Sequence, residues 1–385
     1  VSGWVAEQVM YWDDGIESNT YVGGVGNTLS SHFQFTGSAK ITSDVSAGFV
    51  LKIEARTVGL GQGQNQDTDD GAGGNSLGVS QSNWYLKSNT LGKVTVGQLS
   101  PASDNTAILV DGSGSLVPAN WVLFDNISFF LNRKTAGASV RTGATWGNMS
   151  HCQSGAGGVA GDCGGFAVPG NYIRYDSPTF AGFSVSADWG EDDAWDVAAR
   201  YAGEFSGFKL AAAASYFEQT ETTVAGISNS YWQVGAYLQH VATGLFILGN
   251  YGQDDTDLVG VKTGEAYYLK AGVRQKWTPL GHTVLFGEYG NRSDMFNTLA
   301  DTDAATAGNQ LGMANVTSSD LTQWGLGVVQ EIDAAAMSIW LTYRNFSADA
   351  TCSAASAVVG TTCGAAGKNE FEDMHVVKFG ALISF

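Results

Sequence analysis

Val376-Val377-Lys378-Phe379-Gly380-Ala381-Leu382-Ile383-Ser384-Phe385 is the stretch whose reading decides the fold. Val377, Phe379, Ala381, Ile383 and Phe385 share one parity, and Lys378, Gly380 and Ser384 take the other. That is the pattern of a strand with one apolar and one wetter face. Soluble domains usually fray into polar tails at their ends, so a strand stopping on Phe385 is expected to be anchored. A membrane interface, where aromatic rings collect, supplies such an anchor. The segment is therefore expected to be the closing stave of a transmembrane barrel.

The composition agrees with that expectation. A soluble chain of 385 residues would be expected to split into about two or three domains, yet no composition shift, Pro-rich linker or charge block divides this one. The chain has 51 Gly and 5 Pro, is 44% hydrophobic and 11% aromatic, and its mean hydropathy is close to zero. A membrane helix needs a continuous apolar run of about 18 residues or more. None is present, and Leu210-Ala211-Ala212-Ala213-Ala214-Ser215-Tyr216 is far too short. Strands that are apolar on alternate residues only give such averages.

The net charge of −18 excludes nucleic acid as a partner, because phosphate contacts need a basic surface. The acids cluster at Asp13-Asp14, Asp67/Asp69-Asp70, Glu191-Asp192-Asp193 and Asp254-Asp255/Asp257, in polar or short connecting stretches. Solvated loops are the plain reading. Divalent cations bridging these loops to anionic lipid are the rival. No Asp-x-Asp-x-Asp-Gly loop with a terminal Glu is present, so no specific calcium site, metal site or cofactor is expected.

Four cysteines form two pairs of equal spacing, Cys152/Cys163 and Cys352/Cys363, each in a Gly/Ala/Ser-rich segment. The short Cys-x-x-Cys hooks of a zinc site are missing, and His151 stands alone. Intraloop disulfides in an oxidising compartment follow. No signal peptide is visible and Val1 enters a strand-like segment, so the sequence is expected to be a mature form.

Along the chain, about sixteen alternating segments are separated by long and short connections in turn, the rhythm of a membrane barrel. Gly3–Trp12 is followed by an expected long loop over Asp13–Ser31. The longest irregular stretch, residues 100–170, would count against a compact soluble domain and is expected to fold back into the lumen. An even strand count puts both ends on the short-turn side, where the first and last strands pair and leave no open edge. Trp4, Trp12, Trp84, Trp189, Trp195, Tyr216, Tyr251, Trp324 and Phe385 lie near segment ends and are expected in two interfacial girdles.

Several runs resemble the porins of alphaproteobacteria, particularly the rhizobial-type branch. They are Trp12-Asp13-Asp14-Gly15, Phe35-Thr36-Gly37-Ser38-Ala39-Lys40-Ile41, Tyr85-Leu86-Lys87-Ser88 with Leu91-Gly92 and Val96-Gly97-Gln98, Ile173-Arg174-Tyr175-Asp176-Ser177-Pro178, Phe180-Ala181-Gly182-Phe183, and the terminal Phe385. Each is individually weak; their order across the chain carries the likeness. The resemblance implies an all-β fold of one domain over residues 1–385: a 16-stranded antiparallel transmembrane β-barrel with short periplasmic turns, long extracellular loops and a constriction loop after the fifth strand. It also implies a homotrimer in the outer membrane of a Gram-negative bacterium, in contact with lipid and lipopolysaccharide. The Pro-Glu-Phe-Gly-Gly run of enterobacterial porins is absent, so constriction details of that branch are not carried over.

Passive diffusion of small hydrophilic solutes and ions needs a hydrated hole with charges that sort them. Lys40, Lys52, Arg56, Lys87, Arg174, Arg200, Lys270, Arg274, Arg344 and Lys378 fall on the inner parity. A lipid-facing placement would cost about 2–4 kcal/mol each at midplane, so these cations are expected to line the lumen. The long loop offers Asp104, Asp111 and Asp125 with Arg133, Lys134 and Arg141, and a field between loop carboxylates and a basic wall is expected. The acidic loops suggest a modest cation preference, against which the inner basic wall argues; on balance a weak preference for cations is expected.

A barrel enzyme would need a supported nucleophile, and none of His32, His151, His240, His282 and His375 sits in a Gly-x-Ser-x-Gly or His-Glu-x-x-His setting. A soluble all-β lectin would not explain the apolar outer parity. A substrate-selective channel for sugars or anionic solutes is the serious alternative.

Overall fold

The computed structural model describes residues 1–25, 30–56, 64–68, 76–123, 126–150, 170–191, 193–220, 228–257, 262–296, 315–356 and 362–385. In chain order its strands are β1 (Ser2–Asp13), β2 (Ser18–Gly24), β3 (His32–Lys40), β4 (Val45–Arg56), β5 (Ser76–Ser88), β6 (Gly92–Leu99), β7 (Phe130–Arg133), β8 (Val140–Thr145), β9 (Gly170–Asp176) and β10 (Phe183–Gly190). There follow β11 (Ala194–Phe205), β12 (Phe208–Gln219), β13 (Asn229–His240), β14 (Leu245–Thr256), β15 (Gly264–Thr278), β16 (Gly281–Ser293), β17 (Val316–Ile332), β18 (Met337–Cys352), β19 (Gly367–Glu370) and β20 (Met374–Ser384).

Every neighbouring pair in the main sheet is antiparallel, and the sheet closes into a barrel of sixteen staves. Closure runs from Trp4↔Ser384 to Asp13↔His375 between β1 and β20. Gly3 and Phe385 exchange both backbone hydrogen bonds at 3.1 and 3.0 Å. The ladder is thus unbroken between the first and last staves and leaves no open edge there, which is the condition for a sheet to span a bilayer.

The second stave is made of two pieces. The expected long loop over Asp13–Ser31 is instead a tight reversal at Asp14–Glu17, after which β2 runs back along β1 from Asp13↔Ser18 to Glu7↔Gly24. The same stave resumes as β3, paired to β1 at Trp4↔His32. Asp14 Oδ1 caps the reversal by accepting the Ile16 and Glu17 N–H groups at 2.9 and 2.8 Å. This local capping by an Asp side chain was masked by the polar composition around it.

At the opposite end the staves are joined by short turns. Ser206 and Gly207 have φ of 48° and 79°, and Ala181 and Gly182 have φ of 48° and 87°. Two central residues of positive φ form the hairpin turn whose twist matches that of the strands.

The parity expected from the sequence is observed. On β13, Trp232, Val234 and Ala236 are exposed on the outside, while Tyr231, Gln233, Gly235, Tyr237 and Gln239 are buried inside. Around the long-loop end, outward aromatics stand on successive staves: Trp195 on Tyr216 at 5.4 Å, Trp232 on Tyr251 at 5.2 Å, Tyr267 on Tyr289 at 6.0 Å and Trp324 on Tyr343 at 5.2 Å. Such a tier is expected at a membrane interface. Trp12 and Trp4 are corrections to the expected girdles. Trp12 points inward and is buried against Tyr21 and Phe129, and Trp4 packs on an interior cluster beside His32.

The Cys352–Cys363 disulfide is formed, clipping the loop after β18. Cys152 and Cys163 lie outside the described residues.

Candidate functional site

Residues 100–123 leave the end of β6, enter the barrel and run along its inner wall. The path is fixed by polar side chains on the inward parity. Arg174 Nη1 donates to the Ser100 and Pro101 carbonyls at 3.1 and 3.3 Å. The Ala102 N–H donates to Asp188 Oδ2 at 2.5 Å and to Asp196 Oδ1 at 3.0 Å, and the Ser103 N–H donates to Asp196 Oδ2 at 2.9 Å.

Farther round, Gln233 holds Ala107 N and Ser103 O, both at 2.9 Å, and Asn250 donates to the Ala107 carbonyl. A side chain at Gly235 would collide with that carbonyl, so the glycine admits the close approach of loop backbone to wall. Next come Lys270, which reaches Asp111 Oδ2 at 2.5 Å and Ala119 O at 2.8 Å, and Gln323 and Arg344, which donate to Asn120 O. The circuit ends with Lys378 Nζ on Pro118 O at 3.1 Å. Apolar inward residues on the same staves, among them Phe246, Leu248, Val284, Phe286 and Trp340, pack with Ile108, Val110, Trp121 and Val122 of the loop. The loop is thus glued to the wall from β10 round to β20.

Residues 126–150 form a second layer nearer the long-loop end. The β7–β8 hairpin and the short 3-10 turn Trp146–Met149 pack on Met10, Trp12, Phe346, Phe371 and Met374. Gln66 exchanges two hydrogen bonds of 2.9 Å with Phe130, and Glu372 N donates to Asn132 O at 2.7 Å.

Among the described residues, these contacts leave the arc of β3 to β6 and β9 uncovered. There an open cleft of about 440 Å³ is lined by Val50, Gln81, Asn83, Tyr85, Lys87, Lys93, Thr95, Leu99, Ser100, Arg174 and Asp176. Strand alternation brings these side chains inward while Phe49, Leu51, Trp84, Val94 and Ile173 face out. Lys52 pairs with Glu54 at 2.8 Å, and Asp176 binds Lys93 at 3.2 Å and Arg174 at 2.8 Å.

The cations expected to line the lumen therefore divide into two groups. Lys40, Lys52, Lys87, Arg174 and Arg200 lie on the arc that the loop leaves open or at its edge, with Arg200 donating to the Ala102 carbonyl at 2.5 Å. Lys270, Arg344 and Lys378 point inward but are sealed beneath the loop, all at 1% exposure or less. Arg344 makes a two-pronged pair with Glu288 at 2.6 and 2.9 Å. Arg274 pairs with Glu331 at 2.7 Å near the short-turn end. The side chain of Arg56 and the whole of Asp125 lie outside the described residues.

The loop charges are also dispersed. Asp111 meets Lys270 on the covered wall rather than facing the open arc. Arg141 is bound to Glu17 and Asp67, Lys134 stands 4.0 Å from Glu372, and Arg133 bridges to Phe371, so these three tie the hairpin to the long-loop end. Asp104 alone among the described acids expected on the loop lies toward the open arc, within the field of Arg174 and Lys52. Desolvation pushes its carboxyl up to about 6, against the opposing pull of a Ser100 hydrogen bond and Arg174.

Sequence reading missed Lys93, Asp188, Asp196, Gln233, Asn250, Glu288 and Gln323. Their signal was available: each is a polar residue on the inward parity of its strand. Among the described residues no group of three or more His, Cys, Asp or Glu is arranged to hold a metal ion.

A family profile described as Gram-negative porin matches residues 1–351. No curated protein sequence matches the chain. Among solved structures, the chain is similar to the anion-selective porin from Comamonas acidovorans at a TM-score of 0.59 and 16% identity, covering 100% of this chain and 98% of that one. It is also similar to the trimer form of OmpT of Vibrio cholerae at 0.54 and 13%, covering 100% and 98%, and to OprB of Pseudomonas putida at 0.56 and 11%, covering 100% and 93%. At these identities the likeness is one of fold.

Proposed function

The chain belongs to the Gram-negative porin family and so is an outer-membrane channel protein; from that premise we propose that small hydrophilic solutes and ions cross it by passive diffusion through the cleft beside Ser100. The observation that carries this reading is the one-sided path of the loop. Residues 100–123 cover the wall from β10 to β20 with hydrogen bonds and apolar contacts, and leave polar and charged side chains facing open space on β4, β5, β6 and β9. The family and the fold point to a channel rather than an enzyme.

We read the cleft as preferring anions. Lys87, Lys93 and Arg174 line it against a single carboxylate, Asp176. A similar fold bears the printed description of an anion-selective porin. The competing reading, a weak cation preference, rests on the net charge of −18 and the acidic rims. We weigh the narrow section more heavily, because charges act there at short range and with least screening.

In this reading the protomer is one pore of a homotrimer, in line with the trimer form of the Vibrio cholerae relative. The outer face of β1, β5 and β6 carries Glu7, Ser82 and Gln98, polar groups better covered by a second copy than by lipid. Lipid and lipopolysaccharide surround the rest, with divalent cations as counter-ions to their phosphates at the acidic rim. The runs shared with alphaproteobacterial porins support a place in that branch.

The test is conductance in planar bilayers. The purified protein should give an ohmic current that Asn83→Trp reduces, and a salt gradient should give a reversal potential of anionic sign. Unchanged conductance in Asn83→Trp would move the path elsewhere, and a reversal potential of cationic sign would restore the competing reading.

A further inference from the structure

We propose that the short-turn end of the cleft is a binding subsite for small solutes carrying two or more negative charges, the class of organic phosphates and polycarboxylates; the proposal rests on the reading of the cleft as the solute path. Its frame is a row of inward positions in direct register across five strands: Lys40↔Ser46, Ser46↔Lys87, Lys87↔Lys93 and Lys93↔Asp176. Lys87 and Lys93 thus stand directly opposite one another on neighbouring strands, an arrangement that is unfavourable for the sheet by itself. One carboxylate completes the row, and it is already engaged. Asp176 accepts from Arg174 Nε at 2.9 Å and from Ser186 Oγ at 2.8 Å, and pairs with Lys93 at 3.2 Å. Among the described residues Lys40 and Lys87 have no ion pair, so the row presents more positive charge than the protein neutralises.

A second, independent observation points to a ligand. Thr95 lines the same cleft, is 4% exposed, and its hydroxyl has no hydrogen-bond partner. A buried hydroxyl left unmatched is unfavourable, and an anion oxygen held by the neighbouring lysines would satisfy it. Tyr85 forms the adjoining wall, with Lys93 Nζ 5.9 Å from its ring centroid. A side chain at Gly48 would collide with the Tyr85 phenol, so the glycine is what lets that ring lie across β4. The local excess of cations runs against a chain of net charge −18, so it does not follow from composition.

The probe is inorganic pyrophosphate added to the full-length channel in a bilayer bathed in potassium chloride. Pyrophosphate should interrupt the current in a concentration-dependent way. In Lys87→Gln and in Thr95→Val the pyrophosphate concentration that halves each variant's own current should rise roughly fivefold, the effect of one screened charge or hydrogen bond. Lys276→Gln, which removes an exposed lysine paired with Asp333 outside the cleft, should leave the block unchanged. A conducting channel blocked no more by pyrophosphate than by potassium chloride of equal ionic strength, or blocked equally in the parent and both cleft variants, would overturn the subsite and leave the channel standing. A protein that conducts no current at all would overturn both.

Discussion

Lys270 and Asp111, 159 residues apart in the chain, meet Nζ to Oδ2 at 2.5 Å with both side chains wholly shut off from solvent. Lys270 belongs to the wall and Asp111 to the loop, so this contact fixes how far the loop stands from the strand that carries it. Lys270 also donates to the Ala119 carbonyl, which ties both sides of the loop's bend at Gly112–Pro118 to one ammonium group. A buried pair adds little net stability over an apolar replacement, but removing one member alone strands a charge.

Asp111→Ala should therefore destabilise the protein by about 3–5 kcal/mol and make the single-channel current noisy as the loop lifts. The double change Asp111→Leu with Lys270→Met should recover most of the melting temperature. Thermal denaturation of the three proteins in detergent checks this; a double variant as unstable as the single one would mean that the pair contributes more than mutual neutralisation.

Asp196→Ala should release the root of the loop. Its carboxylate accepts the N–H groups of Ala102 and Ser103 and the Ser103 hydroxyl; the Ala102 N–H keeps Asp188, while leaving the Ser103 N–H buried without an acceptor costs about 1–3 kcal/mol. The expected result is a larger and less uniform conductance, because Ala102 and Ser103 adjoin the Ser100 wall of the cleft. Conductance histograms of variant and parent make the comparison.

Selectivity should vary with pH through Asp104. Its carboxyl is held up at about 6 by desolvation, so it is largely neutral below that pH and charged above. Anion preference should be stronger at about pH 5 than at about pH 7, since the charged form cancels part of the Arg174 and Lys52 field. Asp104→Asn should abolish the difference. The sign for stability follows from the raised value: the contribution of this group is fully present below its ordinary value of 3.8 and is lost as pH rises through about 6. Reversal potentials at the two pH values decide the matter.

Reducing Cys352–Cys363, or replacing both residues by serine, should open the clip across residues 353–362 without changing conductance. A short closed loop of this kind contributes about 3 kcal/mol or less. Protease added from the long-loop side should cut the serine variant faster than the parent, while the current stays the same. A change in conductance instead would place this loop over the cleft.

The sequence by itself settled the architecture. Alternation along segments such as Tyr231–His240 separates lipid-facing from enclosed side chains, and the Lys378/Phe379 alternation that closes the chain is borne out in the β1–β20 seam. Cys352 and Cys363 could be paired from their local spacing alone. These features depend on residues one or two positions apart, or on the rigid period of a strand, so they are legible without a fold.

Only the tertiary structure decided which enclosed cations meet water. Lys87 and Lys270 obey the same parity rule, yet one lines an open cleft and the other lies sealed under Asp111 and Ala119. Parity reports the face of the sheet, not what covers it. The cover is set by the path of residues 100–123, fixed by contacts from Arg174 to Lys378 that bring together groups separated by some 70 to 260 positions. Such contacts have no period in the chain, because they arise from closing the barrel around its own loop.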